Sequence, residues 1–338
     1  MPAEPAVGGV PRPRPVPYDP QLEPGLAACR ELIEGIPLRA ATILANRAHF
    51  ATIVPPLETV IGDHPVEFEH VRVPGPAGAP EVELTVLRPR GEVRDAPGIY
   101  SIHGGGMVLG NRFFGAAGLV EDVVRYGAVA VTVEYRLAPE HPAPAAVEDC
   151  YAGLLWFAEH AAELGVDAGR IVVSGSSAGG GLSAGVALLA RDRGGPALAG
   201  QVLDCPMLDD RNESVSSRQY DGIGIWDRNN NDTAWNAILG ADRGTDAVSP
   251  YAAPARADDL SGLPPAFITV GAAEVFRDEA LAYASGIWAT GGQAELHVWA
   301  GGYHGFTGFS PDAEASRAAA AVRDSWLRRV LGQGGRCP

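Results

Sequence analysis

Ser177 stands at the centre of Gly175-Ser176-Ser177-Ala178-Gly179, between an apolar strand-like run, Ile171 to Val173, and a helix-like run, Leu182 to Leu189. A strand that reverses directly into a helix forces its turn residue into a strained backbone conformation and lifts that side chain above the sheet, where it can act as a nucleophile. Gly175 and Gly179 suit such a turn because a Cβ at either place would collide with neighbouring backbone. Ala178 then opens the helix, and its N–H sits where unpaired donors and the helix dipole favour an oxyanion. His103-Gly104-Gly105-Gly106 directly follows a second apolar run, Gly98 to Ile102. Glycines there present bare N–H groups to an incoming carbonyl oxygen, the other half of an oxyanion hole. Alone, a glycine run after a strand reads as a tight turn. Paired with the Ser177 turn, in this order, it points to nucleophilic acyl chemistry.

Other chemistries are excluded by what the chain lacks. All 26 basic residues are arginine, so there is no Walker-A lysine, Schiff-base lysine, protein-kinase strand lysine or Ser-x-x-Lys pair. The net charge of −15 argues against binding nucleic acid or an anionic membrane, each of which needs a basic patch. Cys29, Cys150, Cys205 and Cys337 are widely spaced and form no C-x-x-C pair, so no zinc or thioredoxin-like site is signalled and reduced thiols are expected. Gly179 to Ala184 nearly matches a dinucleotide fingerprint, but the Ser177 turn occupies the place of its first glycine. His64 and His70 alternate with Glu67 and Glu69 on a strand, which sends the two residue types to opposite faces and reads as a solvated surface. His141, Arg136 and Glu140 read as loop-fixing residues, and His49, His160 and His297 carry no motif. No cofactor and no metal are expected. No N-terminal stretch has the form of a signal peptide and no apolar run approaches about 20 residues, so the expectation is a cytoplasmic enzyme.

The surrounding pattern must position these residues. With 338 residues, 46% hydrophobic and 20% charged, the chain has ample length for a large globular core. Residues 1–20 carry prolines that rule out a helix or central strand and predict an extended or disordered tail. Helical spacing of Leu32, Ile33, Ile36, Leu38, Ile43 and Leu44 predicts two short amphipathic helices up to Pro55-Pro56. Alternation at Val66 and Phe68, then at Val82, Leu84 and Val86, predicts an antiparallel hairpin around Pro74-Gly75-Pro76. From Gly98 onward strands (98–102, 129–133, 171–173, 201–204, 266–270, 294–299) alternate with helices near 119–125, 146–161 and 313–331, which predicts an α/β fold with a parallel sheet covered on both faces. Residues 207–240 break that rhythm.

Four motifs now stand in order: His103-Gly104-Gly105-Gly106, Tyr135-Arg136-Leu137-Ala138-Pro139-Glu140, Gly175-Ser176-Ser177-Ala178-Gly179-Gly180 and Tyr303-His304-Gly305-Phe306. With them the chain closely resembles the bacterial hormone-sensitive-lipase family (family IV) of carboxylesterases, within the α/β-hydrolase fold, from about residue 60 to about residue 332. The resemblance implies a mostly parallel eight-stranded sheet flanked by helices, with a helical cap. The cap would combine 21–57 with 207–240, over a catalytic domain of 58–206 and 241–338. It also implies His304 as base, Gly105, Gly106 and Ala178 as oxyanion donors with Gly104 outside that set, a small-molecule ester substrate, and a homodimer by analogy.

Two places depart from the family pattern. Ser176 stands where the family commonly has Asp, Glu or Thr, and elbow geometry selects Ser177 over it as nucleophile. The acid motif, commonly Asp-Pro-Leu-Arg-Asp-Glu, reads Glu274-Val275-Phe276-Arg277-Asp278-Glu279, which aligns the acid with Glu274 and leaves Asp278 as runner-up. Met107, Phe113, Phe114, Tyr220 and Trp226 are candidates to line an acyl pocket or to form cap core. The reading is a serine carboxylesterase for short-chain or small esters, forming an acyl-enzyme on Ser177. The alternatives are a ligand-binding receptor, like the plant gibberellin receptors that lack a complete triad, or a specialised lactonase, amidase, acyltransferase or eliminase.

Overall fold

A computed structural model of the chain describes residues 13–33 and 37–332. The prolines before residue 13, Ile36 and Cys337 lie outside the described residues. The N-terminal part forms α1 (Glu23–Ile33), α2 (Ile43–Ile53) and α3 (Leu57–Ile61). β1 (Val66–Val73) and β2 (Val82–Pro89) follow as an antiparallel hairpin with Val73 opposite Val82. The alternating region then runs β3 (Ala96–Ile102), α4 (Ala116–Tyr126), β4 (Val129–Glu134), α5 (Ala145–Glu159), β5 (Val166–Ser176), α6 (Ala178–Asp192) and β6 (Gly200–Asp204). After α7 (Val215–Gln219) and α8 (Arg228–Leu239) come β7 (Ala266–Gly271), α9 (Arg277–Ala289), β8 (Ala294–Trp299), α10 (Phe306–Phe309) and α11 (Glu314–Val330).

The eight strands form one sheet in the order β1-β2-β4-β3-β5-β6-β7-β8, with β2 antiparallel to both neighbours and every other pair parallel. Successive crossovers run outward from the centre in opposite directions, β3 to β4 one way and β5 to β6 the other. The switch point therefore falls between β3 and β5, where open α/β sheets leave a crevice at the carboxyl ends of their strands. Ile102, the last residue of β3, pairs with Gly175 near the end of β5. Register alone thus delivers the glycine run and the Ser177 turn side by side.

Both faces of the sheet are buried, which is why its central strands read as continuous apolar runs. α5 and α6 pack on one face with Tyr100, Val131, Val173, Leu154, Phe157 and Leu182 in a common core. α4 and α11 cover the other, through Val123, Val172, Phe267, Trp326 and Leu327.

The N-terminal helices bury a face offset from the predicted one. Leu22, Leu26 and Cys29 are buried while Leu32 is 48% exposed, and Ile43 is buried while Leu44 is 61% exposed. Four helices emerge that the strand–helix rhythm did not predict, α7 to α10, of which α8 and α9 are the long ones. In α9, Ala280, Tyr283, Ala284 and Ile287 carry helical spacing and pack with Leu188 and Ile268. In α8, buried Asn231, Ala234, Trp235 and Ile238 have the same spacing, masked by the polar run Arg228 to Asp232. Among the described residues no helix is long and apolar enough to cross a membrane.

Candidate active site

Ser177 links β5 to α6 with φ 60° and ψ −122°, a conformation that costs a non-glycine residue about 1–3 kcal/mol. The fold holds it there from both sides: its N–H donates to Asp204 O at 2.8 Å, and its carbonyl accepts from Met207 N–H at 3.0 Å. The flanking glycines are needed for close approach. A Cβ on Gly175 would lie 2.2 Å from Gly179 O, and one on Gly179 would lie 2.0 Å from Ile102 O.

From this turn Ser177 Oγ lies 3.0 Å from His304 Nε2, and His304 Nδ1 lies 2.6 Å from Glu274 Oε2. The other Glu274 oxygen accepts the Gly271 N–H at 2.9 Å, so the carboxylate is fixed at the end of β7. Phe276 meets the His304 ring edge-on at 5.1 Å. All three side chains are nearly withdrawn from water, Ser177 being 8% exposed. A carboxylate that accepts from Nδ1–H leaves Nε2 free to receive the serine proton and supports the imidazolium that results. Asp278 is held elsewhere, accepting from Ser216 N–H at 2.7 Å and pairing with Arg277 at 2.8 Å.

The loop carrying His304 rests on the N-terminal segment. Tyr303 and Phe306 pack with Leu22 and Leu26, and Asp19 N–H donates to Gly301 O at 3.1 Å. Residues 13–20, predicted extended or disordered, contain neither helix nor strand up to Asp19 and are tied to α7. Val16 O accepts from Tyr220 OH, and Arg14 O from Gln219.

Across the crevice the glycine run turns back on itself, with φ 113° at Gly105 and 63° at Gly106. A Cβ on Gly104 would come within 3.4 Å of Ser177 Cβ, so this loop lies directly beside the nucleophile. Each peptide plane of the loop is fixed through its carbonyl. Gly104 O lies 2.7 Å from His103 Nδ1, which orients the Gly105 N–H on the same planar unit. Gly105 O accepts from Val108 N–H at 3.1 Å and Leu109 N–H at 2.8 Å, which orients the Gly106 N–H. Ala178 is the first residue of α6, so its N–H has no carbonyl one turn earlier.

His103 anchors the loop. Its ring stacks on Tyr135 at 4.1 Å, Tyr135 OH donates to His103 O, and burial lowers its pKa to about 4, which keeps it neutral. Behind the nucleophile, Ser176 donates to Asp204 at 3.2 Å and lies 3.5 Å from Cys205 Sγ. Asp204 is raised to about 6 by desolvation and then by repulsion from Glu274, and burial raises the Cys205 thiol. Among the described residues one His/Cys/Asp/Glu group is compact enough to suggest a metal: Cys205, Glu274 and His304. Two of its members are already joined by the 2.6 Å hydrogen bond, so the donor set coincides with the acid–base pair.

Of the predicted pocket residues, Met107 and Tyr220 are buried, the latter 1% exposed with its hydroxyl committed to Val16 O. Trp226 covers the oxyanion loop, since a Cβ on Gly106 would lie 2.3 Å from its ring. Its Nε1 donates to Asn231 at 3.4 Å, within a buried amide pair of Asn231 and Asn212. Phe113 departs from expectation: its ring packs 5.8 Å from His70 and beneath Arg112, in the cluster on the α4 side. Its neighbour Phe114 is the one beside Gly104. His70 itself bonds Thr85, and Glu67 pairs with Arg88. Arg136 forms a bidentate pair with buried Asp149, and Glu140 pairs with Arg47. Arg47 is the residue that sequence reasoning missed, because nothing local signals a partner so distant in the chain.

An α/β sheet with a serine at the strand–helix turn, a histidine–carboxylate pair behind it and free N–H groups in front defines a serine hydrolase of the α/β-hydrolase type. Comparison with known proteins agrees. A family model described as the alpha/beta hydrolase fold matches residues 99–308. The chain is 37% identical over 263 residues to Carboxylesterase NlhH of Mycobacterium tuberculosis, covering 77% of this chain and 82% of that protein. It is 38% identical over 271 residues to Carboxylic ester hydrolase LipN of the same organism, covering 78% and 70%. Among solved structures, Bacterial Heroin Esterase superposes with a TM-score of 0.85 at 36% identity, covering 93% of this chain and 98% of that one. The chain belongs to the α/β-hydrolase fold family, in its hormone-sensitive-lipase-like branch of esterases.

Proposed function

We propose that this protein is a serine carboxylesterase that hydrolyses short-chain or otherwise small esters through an acyl-enzyme on Ser177. The observation that carries the reading is the unbroken chain from Ser177 Oγ through His304 to Glu274, at 3.0 and 2.6 Å, beside the glycine loop. His304 Nε2 takes the Ser177 proton as Oγ attacks the ester carbonyl carbon. The N–H groups of Gly105, Gly106 and Ala178 receive the negative oxygen of the tetrahedral intermediate. Collapse breaks the bond to the alcohol oxygen, which leaves with the proton from His304. Water, deprotonated by the same histidine, then attacks the acyl-enzyme and releases the acid. Names of the relatives, all esterases or ester hydrolases, support this class of substrate.

Small substrates fit the closeness of one wall, since Trp226 sits directly against Gly106. The test is turnover of p-nitrophenyl esters from acetyl to long acyl chains, with a lactone and an anilide alongside. Highest turnover on short esters is expected. No turnover on any ester overturns the reading in favour of a receptor, and a preference for the lactone or anilide redirects it to those chemistries. The same proposal includes a cytoplasmic location, supported by three buried free cysteines, Cys29, Cys150 and Cys205. It also includes a homodimer, checked by light scattering.

A further inference from the structure

We propose that Arg47, on α2, is a positioning residue that holds the Gly106 N–H in the orientation the oxyanion requires. This rests on the serine-esterase reading above and names a control point within it. Arg47 lies far in sequence from the glycine loop, yet its guanidinium is directed wholly at that loop and its support. Nε donates to Val108 O at 3.0 Å and one Nη2 bond reaches Ala138 O at 2.8 Å. The remaining bonds run to the two Glu140 oxygens at 2.7 and 3.0 Å. Ala138 N–H in turn donates to Met107 O at 2.9 Å, closing a ring of bonds between the two loops.

The route to the oxyanion follows from peptide planarity. Val108 C=O and Leu109 N–H belong to one rigid unit, so a cation that fixes the carbonyl also aims the N–H on its opposite edge. That N–H donates to Gly105 O at 2.8 Å. Gly105 C=O and Gly106 N–H form the next rigid unit, and the same logic aims the Gly106 N–H. Two planar units therefore connect the Arg47 guanidinium to an oxyanion donor. Glycines at positive φ do not fix these planes themselves, so the orientation has to come from outside the run. A second contact comes from the same face of α2, three residues on: Phe50 meets Phe114 edge-on at 4.8 Å, and Phe114 borders Gly104. α2 thus has two handles on the loop, and a departure of this helix would release the glycine-loop donors without touching Ser177, Ala178 or His304.

The experiment measures kcat and KM on p-nitrophenyl acetate for wild type, Arg47→Ala, Arg47→Lys and Arg193→Ala. Arg193 pairs with Glu148 on the α5–α6 surface and serves as an ion-pair control away from the loop. Binding of a trifluoromethyl ketone, whose adduct places an oxyanion in the hole, is measured in parallel. Arg47→Ala should lower kcat by about 10- to 100-fold, less than outright removal of an oxyanion donor, with KM little changed. Ketone affinity should fall in proportion, and Arg193→Ala should change neither. Arg47→Lys, which cannot reach both carbonyls and the carboxylate as a fork does, should be intermediate. If Arg47→Ala does not fold, the lysine variant decides. A folded variant with unchanged kcat, or a loss confined to KM or thermal stability, overturns the proposal. Wild type that neither turns over the ester nor takes up a phosphonate at Ser177 instead overturns the esterase reading beneath it.

Discussion

The two walls of the crevice are built in different ways. On the nucleophile side, Ser177, Glu274 and His304 leave the ends of strands or the loop after one, and main-chain bonds from Asp204, Met207 and Gly271 fix them. On the oxyanion side the glycine loop carries no side chains of its own at Gly104 to Gly106. It is held by the adjacent His103 with Tyr135 beneath, and by side chains distant in sequence, Trp226 above and Arg47 behind. The first arrangement follows mainly from sheet register, with the His304 loop resting in addition on the N-terminal segment through Leu22, Leu26 and Asp19. The second couples the chemistry to α2 and to residues 207–240, so that substrate access and oxyanion stabilisation share parts.

The largest effects should come from the sheet-borne side. Ser177→Ala should lower turnover by roughly six orders of magnitude. Ser176→Ala, which removes only a hydrogen bond to Asp204, should be mild. Phosphonate labelling followed by peptide mapping checks this, and adduct on Ser176 would reverse the assignment. Glu274→Gln keeps the shape but removes the charge that supports the imidazolium, so a loss of about 10⁴ in kcat is expected. Asp278→Asn, remote from His304 through its bonds to Ser216 and Arg277, should cost far less. The reverse ranking, in variants whose circular dichroism is native, would move the acid role to Asp278. The Arg47 variants come next in size and sharpen the contrast, since they act on the other wall alone.

The smallest expected effect concerns stability beneath the nucleophile. Asp204 has its pKa raised from 3.8 to about 6 in the fold, so the native state holds this proton to higher pH than the unfolded chain does. Its contribution is full below the ordinary carboxylate value and is lost as pH rises through the folded value. Asp204→Asn keeps an acceptor for Ser176 and carries no charge. Its melting temperature should therefore fall less than that of wild type between about pH 5 and about pH 8. Equal falls in the two proteins would show that this carboxyl carries no linkage.

The nucleophilic elbow, the glycine loop and the α/β alternation were legible in the chain, because each is a local pattern whose backbone demands few alternatives, whereas His304 came from the family resemblance. Gly175 and Gly179 betray the turn for the reason found in space: there is no room for a Cβ. Helical spacing in Ala280 to Ile287 was equally available in the chain as a signal for α9. α8 was hidden by its polar first turn, in which Asn231 is buried in a hydrogen bond to Asn212 rather than exposed. Aromatics of the cover could not be assigned at all: Phe113 and Phe114 are adjacent in sequence, and only one borders the glycine loop.

What the sequence determined by itself was therefore the nucleophile turn, the glycine loop and the alternation of strands and helices that presents them, since these arise from short-range geometry and from the apolar pattern of buried strands. What only the tertiary structure decided was everything held from a distance. The bond from His304 to Glu274 is made across the sheet ends, Arg47 reaches from α2 to Val108 O and Ala138 O behind the glycine run, and the Tyr220 hydroxyl is committed to Val16 O. Partners separated by tens or hundreds of positions are chosen by packing, in which each side chain satisfies its polar groups with whatever the folded chain brings within about 3 Å. No local pattern encodes that choice.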